Sequence, residues 1–170
     1  GHSRRQSRGP SLLRQGPGSS PGSPQALTIT FERHLRAHRG KLETGPGPGD
    51  EVFAASFLTR REIIFDTDLL AHAPDFVAIV AHEIYHFVWR RLPNAERKAW
   101  ADLLATEKRP THTGLSSSIR YVPGAPQQSK DYICEAFCDT AAALTNPNKK
   151  ISSQRRRYFS RLYDKRRLPV

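Results

Sequence analysis

Residues 74–91 read PDFVAIVAHEIYHFVWRR, and this stretch decides the fold. Proline followed by aspartate is typical of the first turn of a helix. Arg91 and then Pro93 mark the other end, because proline cannot continue a helix. Between these signals the apolar residues recur with the helical period, at Val77, Val80, Ala81, Ile84 and Val88. The stretch therefore predicts one amphipathic helix.

The middle of this predicted helix carries the pattern H-E-x-x-H, from His82 to His86. Residues four apart on a helix differ by about 40° around its axis, so both imidazoles point the same way. Such a pair can chelate one Zn²⁺ at about 2.0–2.1 Å. Glu83 is badly placed as a third ligand, but it can act as a base toward a water bound to the metal. The alternative is a pair of histidines with a purely structural role.

A third metal ligand is available further along the chain, in a segment that also predicts a helix. Glu135 and Asp139 are four residues apart there, so both face the same side. A catalytic zinc needs three protein ligands and one open position. One of the two carboxylates can bind the metal, while the other accepts a hydrogen bond from a ligating imidazole, as metal-bound histidines usually require.

H-E-x-x-H followed by a helical E-x-x-x-D, over residues 52–144, resembles the gluzincin zinc metallopeptidases, the thermolysin-like group. The resemblance implies a zinc-dependent peptidase that hydrolyses the peptide bonds of a peptide or protein substrate. It also implies a role for each motif residue: zinc ligands His82, His86 and Glu135, catalytic base Glu83, and Asp139 as the partner of His82.

The chain departs from this family in one functional residue. Thermolysin-like enzymes use a downstream histidine to stabilise the transition state, and no histidine follows His112 here. We expect Tyr121, in a long loop predicted over residues 111–129, to take that role. His112 and Tyr132 are the other candidates.

The chain around the motif helix predicts strands first and helices after. Residues 27–31 alternate as a strand does, residues 32–41 predict a short helix, and residues 52–58 and 62–65 predict a hairpin. The expected fold class is α+β and zincin-like, with a small N-terminal antiparallel or mixed sheet, an active-site helix and a mainly helical C-terminal part. By resemblance, residues 52–58 or 62–65 form the sheet edge that holds the substrate.

Three more helices are predicted after the motif helix. Asn94 is the candidate N-cap of the first, since asparagine side chains accept hydrogen bonds from the free amides of a helix start. Ser129 or Asp131 begins the second, and Ser152 or Ser153 begins the last. The last helix carries apolar residues on one side and arginines on the other.

The net charge of +11 is concentrated at the two ends of the 170-residue chain. Residues 1–25, which are rich in Gly, Pro, Ser and Arg, predict a disordered basic tail. Residues 26–147 are nearly neutral and form the expected metallopeptidase domain. Residues 148–170 predict a basic C-terminal helix, packed on that domain or appended to it. The basic ends allow a second function class, binding to an acidic partner or nucleic acid.

The two cysteines allow a third reading. Cys134 and Cys138 are four residues apart, so they can join His82 and His86 in a closed His2Cys2 site. Four protein ligands leave no open position, and the protein would then be a zinc-stabilised binding module rather than an enzyme. Packing of free thiols in a core is the other explanation of this pair.

Composition also bears on location. No run of about eighteen apolar residues occurs, so the sequence predicts no membrane-spanning helix. Two cysteines provide no disulfide framework, which favours the cytoplasm. Secretion stays open, because the chain has no methionine and its N-terminus looks truncated.

Overall fold

The computed structural model describes residues 26–71, 73–107 and 129–165. This part of the chain is α+β, as predicted. Its strands are β1 (Thr28–Glu32), β2 (Arg36–His38), β3 (Lys41–Glu43), β4 (Asp50–Glu51), β5 (Ala54–Phe57) and β6 (Glu62–Asp66). A 3-10 helix (Thr67–Ala71) precedes the helices α1 (Ala73–Arg91), α2 (Asn94–Thr106), α3 (Lys130–Leu144) and α4 (Ser153–Lys165). The predicted tail, residues 1–25, lies outside the described residues.

The first sheet has the strand order β1-β6-β5 and is mixed. β6 pairs antiparallel with β5, which confirms the predicted hairpin, and parallel with β1. Ile63 and Phe65 of β6 are buried and pack against the apolar side of α1. Because β6 lies in the middle of this sheet, the expectation that residues 62–65 form its edge is wrong. The other predicted edge, residues 52–58, contains β5, which does lie at an edge of this sheet among the described strands.

The second sheet, of order β3-β2-β4, replaces the short helix that residues 32–41 predicted. That prediction is wrong for a backbone reason. His34, Arg39 and Gly40 have φ values of 54°, 50° and 72°, which a right-handed helix does not allow. Arg39 and Gly40 form the two-residue loop between β2 and β3, and positive φ at both positions is what a tight hairpin of this kind requires.

The four helices share one core that is rich in aromatic rings. Trp100 of α2, Phe137 of α3 and Phe159 of α4 are fully buried and in mutual contact, with ring centroids 5.0–5.7 Å apart. The Trp100 indole donates a hydrogen bond to the backbone carbonyl of Ile133, 3.0 Å away, which ties α2 to the start of α3. Residues on both sides of the predicted boundary at residue 148 therefore contribute to the same core.

The helix starts agree with the sequence in two of three cases. Ser129 caps α3, accepting a hydrogen bond from the Tyr132 amide, and Ser152 accepts one from the Arg155 amide at the start of α4. The prediction that Asn94 caps α2 is wrong. Pro93 occupies the cap position, and the side chain of Asn94 instead accepts a hydrogen bond from Arg97.

One charged side chain anchors α4 to the rest of the domain. Arg155 is only 1% exposed, and its guanidinium donates to both carboxylate oxygens of Glu107, at 2.6 and 2.8 Å. A third donor bonds to the hydroxyl of Thr140, 2.9 Å away on α3.

In the described ranges, no helix has the length and apolarity needed to cross a membrane.

Candidate metal centre

Two histidines of α1 and a glutamate of α3 place three ligand atoms around one point. His82 Nε2 lies 3.2 Å from His86 Nε2 and 3.2 Å from one carboxylate oxygen of Glu135. His86 Nε2 lies 3.6 Å from the other carboxylate oxygen. Ligands bound tetrahedrally to zinc at about 2.0–2.2 Å are separated by about 3.3–3.6 Å. The 3.6 Å separation matches this spacing and the two of 3.2 Å lie just below it, and one ligand atom from each of the three predicted side chains lies within 4.8 Å of the other two.

The packing of α1 on α3 brings these side chains together. Tyr85 and Trp89 of α1 contact the ring of Phe137, with centroids 5.7 and 5.1 Å apart. His82 and His86 occupy the neighbouring stripe of α1, one turn apart, and Glu135 lies two residues before Phe137. The buried aromatic contact thus sets the distance between the two halves of the site.

Asp139 lies behind His82, in the position that the resemblance to gluzincins implies. Its carboxylate oxygen is 3.0 Å from His82 Nδ1, and both side chains are buried. With Nδ1 held by Asp139, Nε2 is left to face His86 and Glu135. Burial lowers the pKa of the His82 imidazole, but Asp139 and Glu135 outweigh it and raise that pKa to about 10. In the metal-free protein this imidazole therefore carries a proton that a metal must displace.

The carboxylate of Glu83 is directed toward the first sheet, and its negative charge helps to raise the pKa values of both His82 and His86. Its carboxylate accepts a hydrogen bond from the hydroxyl of Ser56 on β5. Ser56 was not predictable from the sequence, because a serine within a strand carries no signal of its own. The contact joins residues 27 positions apart, and it puts the edge strand β5 next to the carboxylate predicted to act as the base.

Cys134 and Cys138 approach the site from its other side. Cys134 Sγ lies 3.6 Å from His86 Nδ1, and both thiols are free. Hydrogen bonding to Cys138, helped by His86, lowers the pKa of the half-buried Cys134 thiol, whereas burial raises that of Cys138. Within the described residues, two sets of side chains have ligand atoms close enough to hold a metal ion. One set is His86, Cys134 and Cys138, and the other is His82, His86 and Glu135. The four residues of the closed His2Cys2 alternative are not brought together as one set.

The candidates for transition-state stabilisation are only partly covered by the structure. Tyr121 and His112 lie outside the described residues. Tyr132 is 7% exposed and belongs to the aromatic helical core, at the start of α3. The described residues thus include the predicted metal ligands, the predicted partner of His82 and the predicted base, but neither Tyr121 nor His112.

Comparison of the chain with family models, with curated proteins and with solved structures found no match. The resemblance to gluzincins therefore depends on the two motifs and on the geometry of the side chains in them. Those side chains form a constellation in which each residue can be assigned a chemical task.

Proposed function

We propose that this protein is a zinc-dependent peptidase of the gluzincin type with a zincin-like fold. The observation that carries the proposal is the separation of 3.2–3.6 Å among the ligand atoms of His82, His86 and Glu135. The carboxylate of Asp139 behind His82 supports it, because a buried carboxylate on the second ring nitrogen is the usual companion of a metal-bound histidine.

The chain's own residues perform the proton transfers of the proposed reaction. A zinc ion, when bound, supplies the Lewis acid that polarises the scissile carbonyl and lowers the pKa of water toward about 7. Glu83 accepts a proton from the attacking water and then delivers it to the leaving amine. Ser56 holds the Glu83 carboxylate in place through its hydrogen bond.

The position of β5 supports an extended peptide as the substrate. Among the described strands, β5 pairs only with β6, so its other side presents backbone groups that an added strand can bond. Ser56 lies in the middle of β5 and touches the proposed base. A peptide bound antiparallel along β5 would therefore pass beside Glu83 and the three ligand atoms.

The direct test is hydrolysis of a quenched peptide library by zinc-loaded wild type and by Glu83→Gln. The variant is expected to retain stoichiometric zinc and to lose peptide hydrolysis, because an amide is not a base. Glu51→Gln, which changes an exposed glutamate on β4 in the second sheet, is the matched control and should hydrolyse as wild type does. Full activity in Glu83→Gln would contradict the mechanism.

A further inference from the structure

We propose that His86, Cys134 and Cys138 form a second metal site, for a soft ion such as Cu⁺, which excludes zinc from the first. The existence of this site is independent of the proposed peptidase function. Its inhibitory effect depends on that function, because the two sites share the imidazole of His86.

The distance between His86 and Cys134 matches metal coordination as closely as the distances among His82, His86 and Glu135 do. Cys134 Sγ and His86 Nδ1 are 3.6 Å apart. A nitrogen and a sulfur bound tetrahedrally to one zinc-sized ion, at about 2.0–2.1 and 2.3 Å, are separated by about 3.6 Å. The donor atoms of His86, Cys134 and Cys138 all lie within 4.8 Å of one another.

The sequence places both thiols for such a role. Cys134 and Cys138 are one turn apart on α3, so their side chains lie on the same stripe of the helix. Cys138 is fully buried, whereas Cys134 is half-buried beside the candidate metal centre. Both thiols pack against the helical core, and Cys134 in addition lies against the imidazole of His86, which places a sulfur and a nitrogen donor side by side.

The two donor sets select different ions. Two imidazoles and a carboxylate suit zinc and do not favour Cu⁺, whereas two thiolates and one imidazole also accept soft ions such as Cu⁺. Binding of Cu⁺ releases the thiol protons to solvent, and the ion then has two anionic sulfurs and a neutral nitrogen as ligands. No electron transfer is needed.

The two sites compete because they use opposite nitrogens of one ring. The first uses His86 Nε2, and the second uses His86 Nδ1. A neutral imidazole offers a lone pair on one nitrogen and carries a proton on the other. When Nδ1 binds an ion, the proton resides on Nε2, which can no longer bind zinc. By linkage, zinc weakens the binding of the soft ion by the same factor.

The test is anaerobic titration of the zinc-loaded protein with Cu⁺, with released zinc followed by a chromogenic chelator. Wild type should release zinc in proportion to the Cu⁺ bound and develop an ultraviolet thiolate-to-copper absorption band. Cys134→Ser should keep its zinc and show no such band. Cu⁺ binding without zinc release, or equal zinc release from Cys134→Ser, would overturn the proposal.

Two further variants keep the result interpretable. Cys138→Ala removes the second thiol. Alanine is used because burying a serine hydroxyl at this position would cost stability. This variant should behave like Cys134→Ser. His82→Ala should lose zinc but keep the Cu⁺ band, because His82 belongs only to the first site. If wild type binds no zinc while the Cu⁺ band still requires both thiols, the proposed peptidase fails and the second site stands. Absence of the band in folded wild type refutes the second site.

Discussion

α3 contributes to two buried polar clusters that are built on opposite principles. Around Arg155, a guanidinium meets the two oxygens of Glu107 and the hydroxyl of Thr140, so that every close contact pairs a donor with an acceptor. Around His82, two ring nitrogens and a carboxylate converge on one point within 3.2–3.6 Å. The first cluster pairs a permanent cation with a carboxylate, whereas the second is held in the metal-free protein by a proton on His82 and has the form of ligands arranged around a cation.

The comparison separates stability from function within a single helix. Thr140 and Asp139 are adjacent in α3, yet one completes the structural cluster and the other supports the candidate metal centre. Changes to the first cluster should therefore affect folding whether or not metal is present. Changes to the second should affect metal binding and activity first.

The largest expected effect follows from removing the cation of the structural cluster. Arg155→Ala leaves the buried carboxylate of Glu107 uncompensated and should lower the free energy of unfolding by about 3–5 kcal/mol. Chemical denaturation of the metal-free protein measures this. Arg156→Ala, at the exposed neighbouring position of α4, should change stability by less than about 0.5 kcal/mol. Equal effects from the two variants would remove the distinction between the clusters.

Asp139→Asn should weaken zinc binding by about 10- to 100-fold, which is the usual cost of losing the outer partner of a metal-bound histidine. Because Asp139 also stabilises the protonated imidazole of His82, the metal-free variant is expected to be less stable as well, so zinc affinity is compared on protein shown to be folded. Competition with a zinc chelator provides the measurement. Asp131→Asn, an exposed acid in the first turn of the same helix, is the control. Unchanged affinity in Asp139→Asn would show that Asp139 does not act through His82.

The pH dependence should have opposite signs for folding and for metal binding. The pKa of His82 is raised from 6.5 to about 10 in the metal-free fold. Its contribution to stability is therefore fully present below pH 6.5 and is lost as the pH rises toward 10. Zinc must displace this proton, so its affinity should rise by up to about tenfold per pH unit over the same range. Calorimetry in buffers of different ionisation enthalpy counts the released protons, and no proton release would contradict the assignment.

The smallest effect is expected on the exposed face of α4. Arg156, Arg157 and Arg161 are exposed there, opposite the buried residues of the helix. Replacing all three by glutamate should leave zinc binding and peptide hydrolysis unchanged. If the basic ends bind nucleic acid, the same variant should lose salt-sensitive RNA or DNA binding. Substitution is preferable to deletion of residues 148–170, because Arg155 and Phe159 of that segment lie in the core.

The parts of the fold that the sequence could predict depend on local signals. The period of the apolar residues predicted α1, and Ser129 marked the start of α3, because both act within one or two helical turns. The helix predicted over residues 32–41 failed because the positive φ values of His34 and Arg39 depend on pairing of β2 with its neighbours. A tight turn between two short strands leaves no periodic pattern to detect.

The candidate site also has one part that was predictable from the sequence and another that was not. The spacing of the two motifs was sufficient to select His82, His86, Glu135 and Asp139, which the structure brings together. The hydrogen bond of Ser56 to Glu83 and the contact of Cys134 with His86 join residues 27 and 48 positions apart. Those contacts result from how β5 and α3 pack against α1, which residue types alone do not determine.

Zinc-edge X-ray absorption of the zinc-loaded protein shows whether His82, His86 and Glu135 hold the metal. We expect one bound zinc with only nitrogen and oxygen ligands, at about 2.0–2.2 Å, and no sulfur shell. A sulfur shell at about 2.3 Å would place the zinc on Cys134 and Cys138 instead. That result, or folded protein that retains no zinc, would contradict the account.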